Sequence, residues 1–143
     1  MKYLEIRDDL FKYDKEYYLV HCISRDFALG AGIAKEFNKR YSMREKLFLS
    51  YHYPKYQSCG NVILIDTVFN LVTKNKYWHN PTLESLTSTL YDMKKLCEKN
   101  GVSKLAMPKI GCGLDKLNWE DVKQQIMCCF QNTDIEILVC IKE

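Results

Sequence analysis

Two hydrophobic periods alternate along the chain. Short runs rich in β-branched and aromatic residues, YLEI, YYLVHC, VILI, FNLVT, KLAM and IEILVCI, are too brief for helices. They predict strands near Tyr3–Ile6, Tyr17–Cys22, Val62–Ile65, Phe69–Thr73, Lys104–Met107 and Ile135–Ile141. Between them the apolar spacing lengthens to three and four residues. Ile33, Ala34 and Phe37 share one side of a segment that starts after Gly32, and a following helix is expected from Met43 to about Ser50. The clearest stripe is Leu83, Leu86, Leu90, Met93 and Cys97, with Asn80 as its expected cap, Pro81 in the first helical position and Asn100-Gly101 as its stop. A last helix is expected from Asn118. There Asp121 is placed to answer the cap, Leu117 can pack back onto Val122, and Val122, Ile126 and Phe130 face inward. Glu120 and Asp121 also complement the positive end of that helix.

Strands alternating with helices, plus a tight hairpin through Asp66-Thr67, predict an α/β protein: a mixed sheet with helices on its faces. In such folds ligands gather at the carboxyl ends of the strands.

Composition narrows the class without naming a chemistry. A chain of 143 residues, 47 % hydrophobic and 27 % charged, fits one ordinary globular domain spanning residues 1–143. Its 21 basic and 18 acidic residues are mixed along the chain, and a net charge of +3 is too small a bias to indicate nucleic acid, though it suits an anionic ligand. No apolar stretch approaches the roughly 20 residues needed to cross a bilayer, and the start lacks the pattern of a signal peptide. The expectation is a cytoplasmic protein without membrane association. The seven cysteines form no C-x-x-C pair and mostly lie in apolar segments such as MCCF and ILVCI, so they are expected to be reduced and buried. His21, His52 and His79 match no common zinc spacing, so no metal is expected, and His21 reads as a core residue. No redox-cofactor motif is present, no cofactor is expected, and a monomer is the default.

The glycines change this picture. Of six in the chain, four form two pairs with one residue between, Gly30 and Gly32 in ALGAGIAKEF and Gly111 and Gly113 in PKIGCGLD. Each pair follows a predicted strand. Backbone N–H groups at such turns, with no β-carbon in the way, can approach phosphate oxygens, and two facing loops would clamp a diphosphate. A single G-x-G is also simply a tight turn, and neither pair is a Walker loop or a dinucleotide fingerprint. Spacing alone leads to an anion or nucleotide binder.

The stretches IRDDLF, HCISRDFALGAGIAKEF, LVTKNKYWHNPT, KNGVSKLAMPKIGCGLDKLNWEDV and DIEILV, in that order over almost the whole chain, resemble macro domains. The resemblance is to the subgroup containing terminal ADP-ribose protein glycohydrolase. It implies a three-layer α/β/α fold around a central mixed sheet, with ADP-ribose bound in a cleft above the sheet. By motif, Asp9 would accept a hydrogen bond from the adenine amino group, with Leu10 beside it. Gly30, Ala31, Gly32 and Ile33 would form the first phosphate loop. Gly111, Cys112, Gly113 and Leu114, entered through Pro108 and Ile110, would form the second, and Ser24 would reach the distal ribose. The subgroup's catalytic lysine and aspartate match Lys74 and Asp115. An amine can attack C1″ of the distal ribose and displace an esterified glutamate, leaving a transient lysyl adduct while the aspartate moves the proton. That requires a neutral nitrogen, and a lysine in water keeps its proton to about pH 10.4, so such a residue must be desolvated or pressed by another cation. The apolar run FNLV before Lys74 suits a strand-end position partly out of water.

The implied activity is removal of mono-ADP-ribose from acidic side chains and from O-acetyl-ADP-ribose, with ADP-ribose and ADP-ribosylated protein as partners. Two alternatives stand beside it. One is removal of ADP-ribose from DNA bases, as in macro-domain antitoxins, with Tyr51, Tyr53, Lys55 and Tyr56 stacking on a single strand. The other is a reader that binds ADP-ribose without cleaving it.

Overall fold

The computed structural model describes residues 1–50 and 59–142, so the tyrosine-rich stretch at 51–56 lies outside the described residues. Six strands form one sheet: β1 (Lys2–Arg7), β2 (Tyr18–Ser24), β3 (Asn61–Ile65), β4 (Val68–Lys74), β5 (Lys104–Met107) and β6 (Glu136–Ile141). Their spatial order is β1-β6-β5-β2-β4-β3. Every neighbouring pair is parallel except β3 with β4, which are antiparallel through the Asp66-Thr67 turn, where Asp66 takes a positive φ of 52°. The mixed sheet and its hairpin are those the sequence predicts.

Alternation along the strands sends side chains into two layers. Val20, Leu105, Met107, Ile137 and Val139 pack with Leu86, Leu90 and Met93 of α3 (Leu83–Asn100) and with Val122, Ile126 and Phe130 of α4 (Trp119–Phe130). Their strand neighbours Leu19, Ala106, Leu138 and Cys140 face the other way, toward Phe37 of α1 (Gly32–Tyr41) and Met43 and Leu47 of α2 (Met43–Ser50). Helices therefore cover both faces, giving three layers. Each fully buried leucine or methionine of the α3 stripe contributes roughly 1.5–3 kcal/mol.

Of the boundaries that differ from expectation, two bear on the site. The helix expected to be capped by Asn80 starts at Leu83, because Thr82 and Ser85 form a reciprocal capping box: Ser85 N–H donates to Thr82 Oγ1 at 2.9 Å and Thr82 N–H to Ser85 Oγ at 3.1 Å. Ser85 Oγ also donates to the Thr73 carbonyl at 2.7 Å, tying the helix start to β4 and leaving Asn80 outside the helix. Strand β2 runs two residues beyond Cys22, so that Ser24 pairs with Lys74 across a register shift. Tyr17, expected in that strand, instead donates its N–H to the Tyr13 carbonyl at 2.9 Å and closes the preceding turn.

Seven cysteines are free: Cys97, Cys129 and Cys140 are buried and Cys22 and Cys112 partly so, but Cys59 and Cys128 are exposed. Cys128 is exposed because Val122, Ile126, Cys129 and Phe130 define the inward phase of α4 and Cys128 falls outside it. His21 is a core residue, as read. Its Nε2 lies 2.5 Å from Asn70 Oδ1 and its ring stacks on Phe37 with centroids 3.8 Å apart.

Candidate active site

Because β1, β6, β5, β2 and β4 all run parallel, their carboxyl ends line one edge of the sheet. The ends of β2 and β4, the loops after β1, β2, β4 and β5 and the start of α1 meet there, and between them they carry every candidate residue. Two adjoining cavities of about 820 and 900 Å³ open between these loops and share Gly32, Ile33, Pro108, Lys109 and Gly113, so together they form one groove. Volumes in this range suit a ligand of nucleotide size.

The distal cavity brings together Ser24, Gly30, Ala31, Gly32, Ile33, Lys74, Pro108, Ile110, Gly111, Gly113, Leu114 and Asp115. Asp9, Leu10 and Cys112 lie on the proximal cavity instead. Asp9 Oδ1 accepts from Phe11 N–H at 3.0 Å, capping a short helical turn at Leu10–Tyr13. Its neighbour Asp8 is fully engaged: Lys12, the Tyr13 hydroxyl and Asp9 N–H, in that order of effect, hold its carboxyl down at about 2.

The two glycine pairs are built alike. In each, one glycine serves the backbone and the other faces open space. Gly32 has a φ of +59° and Gly111 of +74°, conformations that side chains rarely adopt. A β-carbon at Gly111 would lie 3.0 Å from Leu117 Cδ1 and 3.3 Å from Leu86 Cδ2. At Gly113 it would meet nothing within 4 Å, and at Gly30 only the Ala28 carbonyl at 3.9 Å. The N-cap of α1 is Ala31, which offers no side-chain acceptor, so the first N–H groups of that helix are left for a ligand. The second loop is closed by Cys112 N–H to the Lys109 carbonyl, Lys116 N–H to Gly113 and Leu117 N–H to Gly111.

At the distal end, Lys74 Nζ lies 2.6 Å from Asp115 Oδ1, and the two side chains are only 15 % and 17 % exposed. Lys74 closes β4 after six buried residues, the strand-end position largely out of water that the run FNLV suggests. Cys22 forms part of the same wall, and burial pushes its thiol up, so it is an unreactive lining.

Several residues at the distal end are given no part in binding or catalysis by the sequence. Asp26 is the knot of the distal loops: its Oδ1 accepts from the Ser24 hydroxyl and from Ala28 N–H at 3.2 Å, and its Oδ2 from Tyr77 N–H at 3.0 Å. It thereby joins the end of β2, the first glycine loop and the segment after Lys74. Around it Phe27 and Leu29 hold positive φ values of 52° and 44°, strain of roughly 1–2 kcal/mol each, offset by burial of both side chains. Tyr77, Trp78, His79 and Asn80 form the outer wall of the distal cavity. The signals available for them were position, shortly after the lysine at a strand end, and their place in the stretch LVTKNKYWHNPT that resembles macro domains.

Comparison with known proteins places these features in context. The Macro domain family model matches residues 20–126. The chain is 41 % identical over 138 residues to the human ADP-ribose glycohydrolase OARD1, covering 94 % of this chain and 88 % of that protein. It is 28 % identical over 148 residues to a DNA ADP-ribosyl glycohydrolase of Mycobacterium tuberculosis, covering 92 % of this chain and 40 % of that one. Among solved structures, the macrodomain of Thermus aquaticus DarG superposes with a TM-score of 0.83 at 21 % identity, covering 96 % of this chain and 97 % of that chain, a likeness of fold.

Proposed function

Because this chain belongs to the macro domain family, we propose that its groove binds ADP-ribose and that it is a hydrolase releasing mono-ADP-ribose from esters of glutamate and aspartate side chains, and from O-acetyl-ADP-ribose. The observation that carries the reading is the close, largely dehydrated pair of Lys74 and Asp115 on the wall of the distal cavity, at 2.6 Å. The human relative's name, ADP-ribose glycohydrolase, supports hydrolysis rather than binding alone.

In this reading the adenine lies by Asp9 and Leu10, and the diphosphate spans the junction where the two cavities share Gly32, Ile33 and Gly113. The open faces at Gly30 and Gly113 admit phosphate oxygens, and the uncapped start of α1 supplies N–H donors and a positive dipole end. The distal ribose then reaches Ser24 and Lys74.

Asp115 takes a proton from Lys74, and the freed Nζ lone pair forms a bond to C1″ as the C1″–O bond to the acceptor breaks. The bonding electrons leave with the carboxylate of the acceptor. Water then displaces the secondary ammonium of the adduct: a C1″–O bond forms as the C1″–N bond breaks with its electrons returning to Nζ. Asp115 gives its proton back to the freed Nζ, the surplus proton of the added water passes to solvent, and free ADP-ribose departs. The same attack would serve an ADP-ribosyl group on a DNA base, the substrate class in the mycobacterial relative's name, so that linkage belongs in the test.

The test follows released ADP-ribose from a protein mono-ADP-ribosylated on glutamate and from an ADP-ribosylated oligonucleotide. Wild type should release it from the protein and Lys74→Ala should not, while both bind ADP-ribose. Equal release by Lys74→Ala would remove the lysine from the chemistry. Binding without release from either substrate would leave a reader.

A further inference from the structure

Resting on the ester-hydrolase reading, we infer that Tyr77, Trp78 and His79 form a docking lip for the acceptor, suited to an acidic peptide segment that carries the ADP-ribosylated glutamate. The segment leaves β4 directly after Lys74 and lines the distal cavity but not the proximal one, so it stands beyond the reactive end of the ligand. The groups that would hold adenine and diphosphate lie on the other loops, and this wall remains for whatever is bonded to C1″.

Tyr77 and Trp78 are 62 % and 64 % exposed, an unusual state for two adjacent large aromatics. Tyrosine and tryptophan in such positions are the residue types that anchor protein interfaces. They are held in place: Tyr77 N–H donates to Asp26 Oδ2 at 3.0 Å, and His79 N–H donates to the Lys76 carbonyl at 3.0 Å. A lip with a fixed backbone loses little entropy on docking.

Charge chooses the sign of the partner. Lys109 lines the cavity, while Lys76 and Lys116 flank Tyr77 and Asp115 in the chain, and among the described residues none of the three is in an ion pair. The nearby carboxylates are committed, Asp115 to Lys74 and Asp26 to Ser24, Ala28 and Tyr77. Lys109 is thus the uncommitted charge on the cavity wall among the described residues, and it complements acidic residues around a modified glutamate.

Ring geometry chooses the class. Tyr77 and Trp78 meet edge to face at 87° with centroids 4.9 Å apart, and Trp78 and His79 at 77° and 5.5 Å. Neither pair is parallel, so the rings offer an angular notch for an extended chain rather than a slot for a flat base.

The test measures dissociation constants, by calorimetry, for free ADP-ribose and for an acidic peptide bearing ADP-ribose on a glutamine amide in place of the ester. An ADP-ribosylated oligonucleotide is the third ligand. Wild type should bind the peptide conjugate more tightly than free ADP-ribose. In Tyr77→Ala/Trp78→Ala that preference should fall about tenfold, the scale of losing an interface anchor, and Trp78→Phe should retain most of it. An unchanged ratio would overturn the proposal, and a ratio that falls for the oligonucleotide instead would assign the lip to nucleic acid. A peptide preference that depends on the lip, in a protein that cleaves no ester, would sink the hydrolase reading and keep the lip.

Discussion

Alanine at the two glycines of the second loop should have opposite consequences. Gly111 has a φ of +74°, where an L side chain costs roughly 1–2 kcal/mol. Its added methyl would also press on Leu117 Cδ1 at 3.0 Å and on Leu86 Cδ2 at 3.3 Å, and Leu86 is fully buried, so the core must give as well, at about 1–2 kcal/mol. The total for Gly111→Ala is about 2–4 kcal/mol. A melting entropy near 2.1 cal/mol/K per residue converts each kcal/mol into about 3 °C for a chain of this length, so Tm should fall by about 10 °C. At Gly113 the methyl meets nothing within 4 Å, so Gly113→Ala should change stability by less than about 0.5 kcal/mol. If that open face admits a phosphate oxygen, the methyl displaces it, and a lost hydrogen bond to a charged group costs about 1.5–3 kcal/mol, or roughly 10- to 100-fold in ADP-ribose affinity. Differential scanning calorimetry through the unfolding transition, and titration with ADP-ribose below the lower Tm, read the two effects separately. A destabilised Gly113→Ala that binds normally, or a Gly111→Ala as stable as wild type, would refute the division of labour.

Three further outcomes follow from individual contacts. Lys74→Arg keeps the positive charge beside Asp115 but cannot supply a neutral amine, so ADP-ribose binding should survive within a few-fold while ester cleavage falls below detection; residual turnover above one per cent would argue for a purely electrostatic role. Burial holds the His21 imidazole down at about 4, against an ordinary value of 6.5, so the unfolded chain binds more protons between those pH values. The stability it contributes is complete above pH 6.5 and lost as pH falls toward 4, about 3 kcal/mol in all. Urea midpoints from pH 7 to 4 should show a shallower decline in His21→Gln, and an unchanged slope would contradict the assignment. Thr82→Ala removes the cap of α3 and should cost about 1 kcal/mol, read as a lower urea midpoint with an unchanged m-value.

What could be read from the sequence was whatever position along the chain determines. The glycine pairs stand just past strand-like runs, while Lys74 and Asp115 were picked out by the resemblance to macro domains; parallel strands bring all of them to one edge, so order in the sequence became proximity in space. Asp26 could not be read, because a loop aspartate is commonplace and its importance arises only when Tyr77, 51 residues away, meets it. The start of α3 was misplaced because Asn80-Pro81 and Thr82-x-x-Ser85 are both good helix beginnings, and the choice fell to the box that also bonds β4. His21 was legible as a core residue, but its partner Asn70 was not, since the pair forms only across adjacent strands. Exposure of Cys128 beside buried Cys129 is a matter of helical phase, which one apolar quartet, MCCF, is too short to reveal.

The central claim is that Lys74 forms a covalent bond to C1″ and that Asp115 is needed to complete the cycle. The most direct measurement is intact-mass and peptide-mapping spectrometry of Asp115→Ala after incubation with a protein mono-ADP-ribosylated on glutamate. An ADP-ribosyl mass mapped to Lys74, gained slowly because the amine must then lose its proton to solvent but retained because Asp115 is not there to protonate the departing nitrogen, and absent from Lys74→Ala/Asp115→Ala, is the expected result. An Asp115→Ala variant that turns the ester over at the wild-type rate, or an adduct that persists when Lys74 is removed, would contradict it.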